Sequence, residues 1–133
     1  MNEEGTGVPK DYIKAFEAYK KSADQGYSPA QISLGRMYLN GIGTPQDYAK
    51  ALFWYKLGAE QGDMKALMEL AKLYTNKSIR GLAFNIVAAH TYFNVIAAYA
   101  PSPLKEEAAS LRDELALTMR NEDIINAQVR ANK

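Results

Sequence analysis

Residues 5–26, GTGVPKDYIKAFEAYKKSADQG, and residues 41–62, GIGTPQDYAKALFWYKLGAEQG, align without a gap and agree at 12 of 22 positions. A fixed offset of 36 pairs Gly5 with Gly41, Gly7 with Gly43, Pro9 with Pro45, Asp11 with Asp47, Tyr12 with Tyr48, Ala15 with Ala51, Tyr19 with Tyr55 and Gly26 with Gly62. The same offset reaches beyond the two blocks, taking Ala30 to Ala66, Leu34 to Leu70 and Tyr38 to Tyr74. A period between about 20 and 50 residues marks a stacked array, in which each unit covers the apolar face of the next. With an offset of 38, Ala51, Tyr55 and Ala59 fall on Ala89, Phe93 and Ala97, so residues 81–100 read as a third, more buried copy.

The spacing inside each unit is helical. Ala15, Tyr19 and Ala23 are four apart, as are Ala30, Leu34 and Tyr38, and residues four apart share one face of a helix. Each unit is therefore a pair of helices. Gly26, Gly41 and Gly62 sit at helix ends, while Asp47 and Pro29 sit where helices begin. The predicted helices cover 11–25, 28–40, 46–61, 64–76, 84–99, 103–119 and 121–131, about seven in all. The expectation is one all-α domain over 1–133, a superhelical α/α solenoid of antiparallel pairs. Its units are a partial one at 1–27, then 28–63, 64–101 and capping helices at 102–133.

Composition closes off several function classes. Lys plus Arg number 16 against 15 for Asp plus Glu, a net charge of +1 that gives no overall field for nucleic acid or anionic lipid. The chain has no cysteine, which removes thiolate chemistry, disulfides and Cys-based zinc sites. His90 is the sole histidine and takes the place of Leu52, so it reads as a packed side chain rather than a ligand or base. The pairs Asp113–Glu114 and Glu122–Asp123 are neighbours in sequence, pointing about 100° apart on a helix rather than at one substrate. GTG and GIG lack the preceding strand and following Lys-Ser/Thr of a phosphate loop. Asn76-Lys77-Ser78 has the form of a glycosylation acceptor and is read as chance.

Residues 81–100 are about long enough to cross a bilayer, but Asn85, His90, Thr91 and Asn94 interrupt them, and a buried helix is expected instead. MNEEGTGVPK carries no secretory pattern, which makes the cytoplasm the default compartment; an N-terminally trimmed chain would equally suit the periplasm or secretion.

The stretch AQISLGRMYLNGIGTPQDYAKALFWYKLGAEQG, residues 30–62, resembles the Sel-one-like repeat (SLR) family, a branch of the tetratricopeptide-like superfamily. The glycines, alanines and aromatics of Leu-Gly-x-x-Tyr, Gly-x-Gly, Asp-Tyr and Ala-x-x-x-Tyr-x-x-x-Ala-x-x-Gly all stand at family spacing. Two departures are Ala71 at the place of Gly35, and Tyr99-Ala100 where earlier units end in Gln-Gly.

The resemblance implies a non-enzymatic protein-interaction module, an adaptor, scaffold or inhibitor, with no cofactor or metal. Two alternatives are a hydrolase akin to β-lactam-binding relatives and a purely architectural segment of a longer array. It also implies that the first helix of each unit lines a concave surface. Ile32, Arg36, Leu39 and Asn40, with their equivalents Met68, Lys72, Thr75 and Asn76, are then the candidate partner-binding residues. Apolar side chains beside two cations suit a protein or peptide segment with apolar and acidic character.

At the other edge, the helix at 11–25 has no preceding partner. Ala15, Tyr19 and Ala23 are expected to face the second unit and Ile13 and Phe16 the open side, with self-association or continuation into a longer array as the consequence.

Overall fold

The computed structural model describes residues 10–76 and 85–131, with side chains from 11 to 76 and from 85 to 121. The GTG turn, Lys77 and Ser78 of the acceptor triplet, and residues 81–84 lie outside the described residues. Six helices follow in order: α1 (Lys10–Asp24), α2 (Ser28–Asn40), α3 (Tyr48–Glu60), α4 (Met64–Tyr74), α5 (Ile86–Tyr99) and α6 (Leu104–Ala131). The two last predicted helices are one. Nothing between residues 119 and 121 is a glycine or proline, and Arg120 and Asn121 leave the backbone free to continue.

Side-chain caps decide where the helices start. Asp47 accepts from Lys50 N–H at 3.1 Å, Asp63 from Lys65 and Ala66 N–H, and Asn85 from Ala88 N–H at 3.0 Å. The backbone N–H of Asp47 donates to the Tyr38 carbonyl, and that of Asn85 to the Tyr74 carbonyl, each at 2.8 Å. Each cap thus ties the helix it opens to the end of the helix before it. The GIG turn adds a second tie. Gly43 has φ +74, and a β-carbon there would collide with the Tyr12 carbonyl oxygen and touch Phe16 Cβ, so its bare backbone lies directly against α1.

Consecutive helices pack against one another throughout, and α2 also touches α4 across the repeat. The core has two clusters. One gathers Ala23, Ile32, Leu34, Tyr38, Ala51, Tyr55 and Leu70; the other gathers Met68, Ala71, Ala89, Phe93, Ile96 and Ala108. Leu67, Tyr74 and Tyr92 pack on both and join them, with the Tyr74 and Tyr92 rings stacked at 5.7 Å. Residues 86–99 of the apolar stretch form α5, about 21 Å long at 1.5 Å per residue. Among the described residues no helix is long and apolar enough to cross a membrane.

The repeat predicts Tyr19 inside, and the structure places it 41% exposed. Its counterpart Tyr55 is buried against Gly35 of the preceding even helix, and Phe93 is buried in one core cluster with Ala71 of its preceding even helix, whereas α1 follows no even helix among the described residues. Phe16, expected nearer the open side, instead meets Tyr38 edge-on at 5.4 Å. Ile13 does face outward.

A second close approach made possible by a glycine is that of α2 on α3. A β-carbon on Gly35 would stand 2.6 Å from Tyr55 Cε1 and 2.7 Å from Cδ1, and the Tyr55 ring is fully buried. Gly35→Ala therefore forces that ring to move, and a loss of about 1–3 kcal/mol is expected in urea unfolding. Gly43→Ala, at positive φ against a carbonyl, is expected to cost at least as much.

Candidate interaction surface

The candidate surface is the face of α2, α4 and α6 that the family resemblance places on the inside of the stack, called the inner face below. Two ion pairs cross it. Arg36 Nη2 of α2 donates to Glu69 Oε2 of α4 at 2.7 Å, and Lys72 Nζ of α4 meets Glu107 Oε2 of α6 at 2.9 Å. The two pairs are related by the repeat: Arg36 maps to Lys72 by 36 residues, and Glu69 to Glu107 by 38. A cation from each even helix reaches an anion on the next, which makes a short ladder across the face.

The ladder changes the expected role of the cations. Arg36 and Lys72 are exposed as predicted, but each already has a carboxylate partner on the neighbouring helix. Glu69 holds the Arg36 guanidinium above its ordinary pKa through their hydrogen bond, which outweighs the opposing effect of partial burial. Lys72 and Glu107 are both about half exposed, so that pair is the more easily exchanged.

The apolar anchors expected beside these cations are not on the surface. Ile32 is 6% exposed and Met68 2%. A step of two residues does turn about 200° from Leu34 and Tyr38, but an even helix has neighbours on three sides and keeps only a narrow strip open. Ile32 belongs to the first core cluster, Met68 to the second, and Leu39 is half-buried against the first. Asn40 is exposed at the end of α2. The Thr75 hydroxyl donates to the Lys72 carbonyl at 2.7 Å and closes the last turn of α4, with Asn76 half-buried beyond it.

The apolar surface lies between the helices instead. Lys72, Thr75, Phe93, Leu111, Glu114, Leu115 and Thr118 line a groove of about 200 Å³ between α4 and α6, floored by the ring of Phe93 from α5. A larger groove of about 420 Å³ opens at the N-terminal ends of α2, α4 and α6, with Pro29, Ile32, Met64, Pro103 and Leu104 among its walls. There Asp63 ties the start of α2 to the start of α4, since its Oδ2 accepts from Ser28 Oγ at 2.8 Å while its Oδ1 caps α4. Lys72 and Thr75 are thus brought together at one groove, and Arg36 and Asn40 are one helix away.

Sequence reasoning missed Glu69, Glu107, Leu111 and Leu115. A signal existed for the acids: a carboxylate follows each cation by 33 or 35 residues, close to one repeat. It also missed Gln31, a buried polar side chain whose amide donates to the Ala23 carbonyl at 3.2 Å and whose oxygen accepts from Gln61 at 2.8 Å. Among the described residues no group of three His, Asp or Glu side chains is placed to hold a metal.

With the geometry in place, the comparisons with known proteins decide the family. Residues 1–27 and 28–63 each match the Sel1 repeat model. The chain belongs to the Sel1 repeat family. It is similar to the crystal structure of a Sel1 repeat protein from Oxalobacter formigenes, with 32% identity and a TM-score of 0.58 over 72% of this chain and 39% of that one. It also aligns, at 26% identity and a TM-score of 0.40, with a protective antigen of uropathogenic Escherichia coli strains displaying an SLR fold, over 82% of this chain and 31% of that one. The chain therefore spans well under half the length of either structure. No curated protein matches it in sequence. The Sel1 repeat is a protein–protein interaction fold, and its proteins are generally non-catalytic interaction modules.

One consequence of the ladder is testable without a partner. The Tyr55 hydroxyl is buried with no hydrogen-bond partner among the described residues. Burial, helped by the charge of Glu69, pushes its phenol well above the ordinary 10.0. The unfolded chain then ionises first, so the contribution of Tyr55 to stability is level below pH 10.0 and falls as pH rises beyond it. Tyr55→Phe removes both the unpaired hydroxyl and this titration. Unfolding curves are expected to show equal or greater stability at neutral pH and a shallower decline in alkali. Arg36→Gln, at a half-exposed pair, is expected to cost under about 1 kcal/mol, and less still in high salt.

Proposed function

We propose that this Sel1 repeat chain is a non-enzymatic adaptor, scaffold or inhibitor that holds a segment of another protein on its inner face. The segment places an apolar side chain in the α4–α6 groove and an acidic group on Lys72. The observation that carries this reading is the coincidence of an apolar floor, Phe93 with Leu111 and Leu115, and an exchangeable cation at the rim of the same groove. An acidic group arriving there replaces Glu107, and the apolar contact supplies the gain that an ion-pair exchange alone lacks. A groove built on three helices is already in shape, which lowers the ordering cost of binding an extended or helical segment.

The experiment is affinity capture of the partner from the native host, followed by titration of the purified partner against wild type and the double variant Arg36→Glu/Lys72→Glu. Circular dichroism of the variant establishes that it is folded. Affinity is expected to fall by about 1–3 kcal/mol, with Lys72→Glu alone accounting for most of the loss. Unchanged affinity in a folded double variant moves the site off this face. Leu115→Asp, a second variant, tests the groove floor and is expected to weaken binding independently of salt, whereas the loss from the charge variants shrinks as salt rises.

A further inference from the structure

We infer that the segment held on the inner face is an α-helix that lies along the furrow between α4 and α6 and sets two apolar side chains, seven residues apart, one in each of the two grooves there. The inference rests on the reading above and adds to it the shape and spacing of the segment. A step of seven residues brings a helix back to within about 20° of the same direction and about 10.5 Å further along. Three helices repeat that step on this face: Pro29 to Arg36 on α2, Lys65 to Lys72 on α4 and Leu104 to Leu111 on α6. Pro29, Lys65 and Leu104 line the groove of about 420 Å³, while Lys72 and Leu111 line the groove of about 200 Å³. The two grooves therefore share one face, two turns apart, and the Lys72–Glu107 pair crosses the furrow between α4 and α6. It is the pair that an arriving acid opens.

Charge names the rest of the occupant. Lys65 is exposed at the rim of the larger groove and has no ion-pair partner among the described residues. The acid beside it, Asp63, is already taken up by Ser28 and by the first N–H groups of α4. Glu69, one turn after Lys65 on the same stripe, is engaged by Arg36. The stripe thus offers an open cation at Lys65 and an exchangeable one at Lys72, one at each groove. A complementary helix carries an acid beside each of its two apolar anchors. An extended segment does not fit this spacing. Its side chains alternate, so the residue about 10 Å along, three positions on, points away from the face. The residues that do face the grooves come at steps of about 7 Å, which fall short of two helical turns or overshoot them. A helix returns one face every seven residues, in step with the stripes on α4 and α6.

The test titrates three synthetic fluorescent peptides against the whole chain and reads anisotropy. The first is an alanine-based helix with two leucines seven residues apart and a glutamate one turn from each. The second sets the leucines nine residues apart, on opposite sides of the helix, and the third carries the leucines and glutamates of the first on a proline-rich, extended backbone. The first is expected to bind roughly tenfold more tightly than either of the others, the worth of one partly buried leucine. Lys65→Glu places an acid in the first turn of α4, where it suits the helix and keeps the fold. It is expected to weaken the first peptide by about two- to fivefold at low salt. Leu104→Asp and Leu115→Asp, each shown to be folded by circular dichroism, are expected to abolish the preference for the first peptide over the second. No preference for the first peptide, or tighter binding of the third, overturns the proposal. So does a first peptide weakened by Leu115→Asp but not by Lys65→Glu or Leu104→Asp, which leaves the proposed function on the α4–α6 groove alone. Binding that none of these variants nor Lys72→Glu alters removes both readings.

Discussion

The stack depends on a ring lying on a place with no side chain. Gly35 lets α2 come within contact of the Tyr55 ring, and the ring fills the angle between the two helices that alanine-sized neighbours leave open. The other ties agree with that distance. Caps at Asp47 and Asn85 fasten each odd helix to the end of the even helix before it, and the bare backbone of Gly43 rests on α1. Burial of apolar side chains, the rings among them, drives the helices together, while the hydrogen bonds at the turns add direction to a contact that burial alone leaves non-directional.

That division also sets which surfaces are available. Because α2 and α4 are wedged between neighbours, their large apolar side chains are consumed by the core, and what stays open carries the charged side chains Arg36, Glu69 and Lys72. The apolar area a partner can use therefore lies in the clefts between helices, above Phe93 and around Met64 and Leu104, rather than on the helices themselves.

Much of the fold was legible because it was written more than once. Identical spacing of Ala15, Tyr19 and Ala23 with Ala51, Tyr55 and Ala59 shows a helix, a repeat and a core position at a single reading. The candidate site was less legible, for a physical reason. Angular arguments on one helix place Ile32 and Met68 opposite Leu34 and Leu70, but burial depends on how many neighbours a helix has, which one helix's periodicity does not encode. The same gap explains Tyr19, whose sequence environment matches Tyr55 but which has no counterpart of α2 packed on it among the described residues. Glu69 and Glu107 escaped notice because an ion pair between repeats joins positions that no local pattern links. The single helix α6 escaped because the reading assigned two helices to every unit.

The charge ladder also imposes a scale on the inner face. Packed helices lie about 8–10 Å apart, and an extended chain advances about 3.3 Å per residue. A strand crossing α2, α4 and α6 at right angles thus passes from one rung to the next for about every third residue. The rungs, Arg36–Glu69 and Lys72–Glu107, point the same way, so the face has a direction as well as a spacing. A segment laid across the face and its reversed sequence would meet the charges in opposite order.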